Sequence, residues 1–286
     1  MTREVSVFRK RVPNDGFFKS PREVQIHRLA MEAQTEGDPF TAKLLGYRRG
    51  IFSTVLHIER LEGRSPRHIG ELGDIGALIA GIEVSTHRLI RGTSIDPKLD
   101  FYLSGAGRKP RYNITAIANA FTQRRQHPFP FPDFTDIVMN CAASVEVNDS
   151  VLAGAEPVVS HLDHFLKNFI RTDERLFLID WGEGYIGRAG FDAGCFLMML
   201  FRTHNLARFE PAAVRFCKSY LGRVTSFTHV LSAMNRVFLP RSLWYLLRHD
   251  VVDRYHSKGQ REEWAEKLRL LDRVASGQFW KSAGLM

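Results

Sequence analysis

Residues 161–181 read HLDHFLKNFIRTDERLFLIDW and hold the side chains best suited to chemistry. His161, Asp163 and Asn168 form H-x-D-x-x-x-x-N, and Asp180 follows seventeen residues after Asp163, at the end of the apolar run Leu176-Phe177-Leu178-Ile179. A carboxylate on a loop can orient an attacking hydroxyl and take its proton. An amide oxygen and a second carboxylate are hard ligands of the kind magnesium takes alongside substrate phosphates. An Asp closing an apolar strand is expected to be buried, and a buried charge is costly unless paired. The partner expected for Asp180 is a metal ion.

These side chains need elements to position them. Val5-Ser6-Val7-Phe8 reads as a strand, Asn14-Asp15-Gly16 as a hairpin turn and Phe17-Phe18-Lys19 as the returning strand. Pro21 suits the first turn of a helix that carries Val24, Ile26, Leu29, Ala30 and Met31 and ends by Gly37-Asp38-Pro39. Leu44–Tyr47 and Ser53–Ile58 read as two more strands, with a hinge expected at 59–63. From there the texture turns helical: Ile69, Leu72, Ile75, Leu78, Ile79 and Ile82 recur at three-and-four spacing. HPFPFPDF at 127–134 reads as a loop before a helix through Val138 and Ala143, the 161–181 region as catalytic loop plus hairpin, and Ala212–Leu221 and Glu262–Leu271 as further helices. The expected class is α+β: a small antiparallel-sheet lobe at 1–62, a larger mainly helical lobe at 63–286, and a cleft between them.

The totals narrow the classes. With 286 residues the chain can bury a substantial core, and no apolar run approaches the ~20 residues needed to span a bilayer. The N-terminal residues lack an apolar signal segment, so a cytoplasmic location is the expectation. Three scattered cysteines, Cys141, Cys195 and Cys217, make neither a disulfide framework nor a zinc pattern. The formal charge of +9 is spread along the chain without a dense basic run, which argues against a dedicated nucleic-acid binder.

HLDHFLKN, then LFLIDW, then GRAGFDAG resembles the aminoglycoside phosphotransferase/choline kinase-like family, whose pattern is H-G-D-x-x-x-x-N, I-D-W or I-D-F, and D-L-A after a glycine-containing turn. The resemblance implies a protein-kinase-like two-lobe fold and ATP-dependent transfer of a phosphoryl group to a small-molecule hydroxyl. It makes Asp163 the catalytic base, Asn168 and Asp180 the Mg2+ ligands, Asp192 an anchor of the catalytic loop and His161 a packing residue. Upstream, Lys19 resembles the lysine that holds the ATP phosphates, and Glu23, with Glu32 as the alternative, its helix-borne partner. VLHIERLEG at 55–63 resembles the strand and hinge whose backbone meets adenine, placing Glu59 and Leu61 there.

The chain departs from this pattern in two places. Leu162 stands where the family has Gly, and Phe165-Leu166-Lys167 stands where it has small residues or Pro. Only eighteen residues precede Lys19, the first glycine being Gly16, so the nucleotide-covering glycine loop is expected to be abbreviated or cut. That leaves two readings open: an active phosphotransferase, or a pseudokinase or nucleotide-binding module without turnover. Residues 193–249 contain one acidic side chain, Glu210, among many Arg and Lys. A polycationic aminoglycoside is therefore disfavoured as acceptor relative to a neutral or anionic sugar or metabolite.

Overall fold

The computed structural model describes residues 6–14, 21–34, 38–67, 69–123, 133–152, 154–247 and 258–286. Its first sheet is antiparallel, with β1 (Val7–Pro13), β2 (Leu44–Arg49) and β3 (Ser53–Glu59) in the order β1-β3-β2. In β3 the buried residues Thr54, Leu56 and Ile58 alternate with half-buried ones, the period of two that a strand imposes. The same alternation in β1 sets Lys10 and Val12 on one face, with Arg9 and Arg11 turned to solvent. Helix α1 (Arg22–Ala33) begins just after Pro21 and covers that face, so that Val12, Val24, Leu56 and Ile58 share a small apolar cluster.

The first strand differs from its sequence reading. It does not stop at Phe8 but runs on through Pro13, in register with β3 from Val7↔Glu59 to Pro13↔Ser53. The ladder to β3 extends through the charged run Arg9-Lys10-Arg11, which apolar patterning alone does not mark. Most of the turn and all of the returning strand expected at Asn14–Lys19 lie outside the described residues.

The larger part is built on α2 (Leu72–Ile90), α3 (Ile114–Gln123), α4 (Phe134–Leu152), α5 (Phe191–Thr203), α6 (Leu206–Leu221), α7 (Val230–Leu246), α8 (Lys258–Ala275) and α9 (Gln278–Ser282). Residues Phe191–Phe201 of α5 are all buried, as expected for a helix apolar on every side that forms the centre of a core. Helices α2, α6, α7 and α8 surround it through Ile75, Ile79, Phe216, Phe238, Leu243 and Leu268. Two short antiparallel pairs lie between this core and the first sheet: β4 (Pro157–Ser160) with β7 (Tyr185–Arg188), and β5 (Phe169–Arg171) with β6 (Leu176–Leu178). The architecture is α+β in two lobes. Among the described residues, no helix is long and apolar enough to cross a membrane.

Segment 38–43 and α1 fasten the first sheet to the β5–β6 hairpin. Leu178 N–H donates to Phe40 O (2.9 Å), and Trp181 Nε1 donates to Thr41 Oγ1 (2.8 Å). Behind the third strand, Gly63 lies so close to Arg171 that an added Cβ would stand 2.4 Å from its carbonyl oxygen, and the backbones of Arg64 and Arg171 bond reciprocally. The chain thus passes from the sheet directly onto the β5–β6 hairpin.

Candidate active site

The loop after β4 is shaped by one buried carboxylate. Asp192, 1% exposed in the first turn of α5, accepts the backbone N–H of His161 through Oδ2 and of Leu162 through Oδ1, both at 2.9 Å, and its Oδ1 lies 3.0 Å from His164 Nε2. Burial alone would raise the Asp192 pKa, but His164 and the donated N–H groups outweigh it and hold the carboxyl below its usual range. Leu162 adopts φ 60°, a left-handed conformation that costs a non-glycine residue roughly 1–2 kcal/mol. Its buried side chain and the Arg241 Nη1–H bond to its carbonyl (2.6 Å) hold it there, which explains how leucine occupies a position that suits glycine.

His161 is fully buried: Nε2 donates to Ile179 O (2.8 Å) and Nδ1 accepts Asp163 N–H (3.2 Å), which fixes the neutral tautomer. Burial, with the neighbouring His164, lowers its pKa to about 4. Asp163 then projects half-buried from the loop, and Asn168 Nδ2 donates to its backbone oxygen (2.7 Å) and to its Oδ2 (3.1 Å). Asn168 O accepts Ile179 N–H (2.9 Å), tying the loop to the strand that ends at Asp180.

Asp180 does not sit as the apolar run implies. Its φ of 69° turns the chain out of the strand, and the side chain is 44% exposed rather than buried. Its partner here is a lysine: Lys10 Nζ lies 2.5 Å from Asp180 Oδ1 and 2.7 Å from Glu23 Oε1. Burial works against the Lys10 charge, but hydrogen bonds to Asp180 and Glu23 outweigh it and raise its pKa. Burial likewise opposes the Asp180 charge, and Lys10 overrides it to hold that carboxyl low. Glu23 is only 8% exposed; there burial prevails over Lys10 and its pKa is raised.

The expected residues are therefore placed as follows. Asn168 bonds Asp163 through its side chain and Ile179, the residue before Asp180, through its backbone oxygen, while the buried His161 and Asp192 bond the backbone around Asp163. Glu23 meets a lysine, while Glu32 is exposed on the far side of the helix. That lysine is Lys10; Lys19 lies outside the described residues. Glu59 and Leu61 flank the exit from β3, where the N–H groups of Glu59 and Arg60 donate to Lys43 O and Ser6 O (both 2.8 Å). Lys10 escapes a reading based on apolar runs, yet its position two residues before buried Val12, on the inward register of a strand, is a legible sign. Glu83, fully buried on α2 and hydrogen-bonded to Gly190 N–H and Tyr220 O–H, carries no such mark.

Asp180 and Asn168 fit a magnesium ion by donor type: one half-exposed carboxylate and one amide whose Oδ1 takes no hydrogen bond among the described residues. No group of three His, Cys, Asp or Glu side chains able to hold a metal assembles among them, so phosphate and water would complete the shell.

A cavity of about 230 Å3 opens beside Asp163. Arg111, Arg202 and Arg241 line it together with Phe165, Trp244 and Tyr245. Glu183, also on its wall, is paired with Arg111, which holds its carboxyl low against the effect of burial. Glu183 itself is half-exposed.

No protein-family model and no curated protein matches the sequence. Solved structures do match the fold. An aminoglycoside phosphotransferase from Alicyclobacillus acidocaldarius superposes with a TM-score of 0.59 at 12% identity, covering 100% of this chain and 89% of that one. An amicoumacin kinase in complex with AMP-PNP, Ca2+ and Ami gives 0.57 at 12% identity, with 95% and 83% covered. A choline kinase from Cryptosporidium parvum gives 0.56 at 11% identity, with 94% and 81% covered. The chain thus has the two-lobe, kinase-like fold of the aminoglycoside phosphotransferase and choline kinase structures, the fold that its 161–192 motifs resemble.

Proposed function

We propose that the chain is a phosphotransferase that moves the γ-phosphoryl group of Mg·ATP to a hydroxyl of a small molecule. Residues 1–62 act as the nucleotide lobe and 63–286 as the lobe carrying the catalytic loop, the metal residues and the acceptor. The observation that carries the proposal is the Glu23–Lys10–Asp180 bridge, joined through the Ile179–Asn168 backbone bond to the Asp163–Asn168 pair. The AMP-PNP in the amicoumacin kinase structure supports nucleotide use by this architecture.

Each residue then has a task. Asp163, fixed by Asn168, orients the acceptor hydroxyl and takes its proton as the new P–O bond forms and the β,γ-bridging P–O bond breaks, releasing ADP. Lys10, set by Glu23, is the lysine that meets the ATP phosphates, and the backbone at Glu59 and Leu61 meets adenine. Asn168 and Asp180 would hold Mg2+, which would offset the negative charge of the phosphates. Asp192 and His161 keep the loop in shape. The acceptor is a sugar or other metabolite rather than an aminoglycoside, given the arginines around Asp163.

The test is Mg2+-dependent thermal stabilisation by ATP, followed by ADP release across a panel of hydroxyl compounds. Asp163→Ala and Asp180→Ala should each remove ADP release while preserving the fold. Wild-type turnover in either variant refutes the roles, and stabilisation without ADP from any compound identifies a nucleotide-binding module instead.

A further inference from the structure

The cavity beside Asp163 is lined by three arginines and two acids, so its wall carries an excess of positive charge. Arg241 is 8% exposed, yet among the described residues its hydrogen bonds all run through Nη1: to Leu162 O (2.6 Å), Cys195 Sγ (2.9 Å) and Tyr112 Oη (3.4 Å). None of these is a carboxylate. The Asp163 carboxylate favours the Arg241 charge through space but makes no hydrogen bond to it, so the guanidinium keeps N–H groups for a further anion beside Asp163. Arg202, exposed at the rim, is held between two aromatic faces, 5.4 Å from the centroids of both Phe165 and Tyr245, and forms no ion pair among the described residues. Such stacking fixes the plane of the guanidinium and leaves its N–H edge available for a planar or tetrahedral anion. Arg111 is already committed to Glu183. Of the two acids on the wall, Glu183 is bound to its arginine and Asp163 is reserved for the hydroxyl, while Arg202 and Arg241 form no salt bridge among the described residues.

We infer that the acceptor is an anionic hydroxyl compound, a phosphate ester or a carboxylate, whose negative group docks on Arg202 and Arg241 while its hydroxyl faces Asp163. The inference rests on the phosphotransferase reading and gives the class of its acceptor. The cavity of about 230 Å3 suits a compound of metabolite size, and the walls of Phe165, Trp244 and Tyr245 offer faces for its carbon skeleton. A choline-like or aminoglycoside cation would meet Arg202 and Arg241 and be repelled.

The test uses matched acceptors: a polyol, its phosphate monoester, its carboxylate and its amine, each supplied with Mg·ATP and followed by ADP release. Turnover should favour the anionic members by at least about tenfold in kcat/KM, and the ester and acid arms separate phosphate from carboxylate. Arg202→Ala should raise the acceptor KM about tenfold or more while the KM for Mg·ATP holds, with partial rescue by Arg202→Lys. Arg241 also supports the catalytic loop, so Arg202, being exposed, is the position substituted. If no member turns over, inorganic phosphate is titrated calorimetrically against the protein saturated with Mg·ADP; binding weakened by Arg202→Ala supports the inference. Equal or better use of the uncharged or amine member, or absence of both turnover and phosphate binding, overturns it. Failure of Mg·ATP itself to bind removes the phosphotransferase reading, and is distinguishable from Mg·ATP binding without preference for anions.

Discussion

Replacing Lys10 by Met removes the cation between Glu23 and Asp180 while retaining most of the apolar stem. Glu23, 8% exposed, is left as a buried carboxylate without the lysine that pairs with it, whereas Asp180, 44% exposed, is compensated by water. A hydrogen bond to a charged group contributes about 1.5–3 kcal/mol, and breaking a fully buried pair costs about 3–5 kcal/mol. Lys10 is itself 27% exposed, which moves the expectation to the lower range, a loss of about 1–3 kcal/mol in urea unfolding. Burial already raises the Glu23 pKa against the pull of Lys10, so the variant raises it further. The deficit is then greatest near neutral pH and shrinks at acid pH, where Glu23 takes up its proton in both proteins. Under the proposed function the same variant should lose about tenfold or more in Mg·ATP affinity by calorimetric titration. Lys19→Met serves as the counter-experiment, because a sequence reading alone selects Lys19. Wild-type stability and Mg·ATP affinity in Lys10→Met, with the loss appearing in Lys19→Met, would refute the reasoning.

Asp192→Ala orphans two buried N–H groups, each costing about 1–3 kcal/mol, so chemical denaturation should show a loss of about 2–5 kcal/mol; a loss below 1 kcal/mol contradicts the anchoring geometry. Asp163→Ala, at a half-buried loop position, should change the unfolding midpoint little and lower ADP release by about 10²–10⁴-fold, measured with a coupled assay. His161 gives a pH dependence: its folded pKa is lowered from 6.5 to about 4, so the unfolded chain binds more protons between these values. Stability from neutral His161 is therefore full above about pH 6.5 and falls by about 3 kcal/mol as pH approaches 4, a slope that His161→Asn should flatten in pH-resolved unfolding.

The loop at 161–168 and the hairpin after it were legible because their residue types and spacing form a compact pattern: Asp163, Asn168 and Asp180 are near in sequence and joined by the hairpin. The helices and the β3 alternation were legible for the ordinary reason that burial imposes a period. What escaped depends on long-range contact. Lys10 meets Asp180 across 170 residues, and Arg241 meets Leu162 across 79, distances over which a local pattern carries no information. The burial of Asp180 was misjudged because a one-residue left-handed turn at φ 69° reverses the side chain at the end of an apolar run, and aspartate tolerates that turn. Asp192 was placed by its motif, but its partnership with two consecutive N–H groups follows only once α5 is docked in the core.

The Lys10–Asp180 contact bears on how nucleotide would enter. Lys10 Nζ occupies Asp180 Oδ1 at 2.5 Å, the carboxylate assigned to the metal. Under the proposed function two cations would compete for that carboxylate, and a nucleotide arriving with magnesium would offer each a better arrangement: phosphate oxygens for Lys10 and Asp180 for the metal. The link to Glu23 need not break, since Nζ has three donors. Nucleotide without the metal must separate Lys10 from Asp180 and leave that carboxylate facing the phosphates, so its affinity should fall well below that of Mg·ATP. In Asp180→Asn the carboxylate charge is gone, and the gap between ATP with and without Mg2+ should narrow. An unchanged gap would mean that Asp180 is not where lysine and metal exchange.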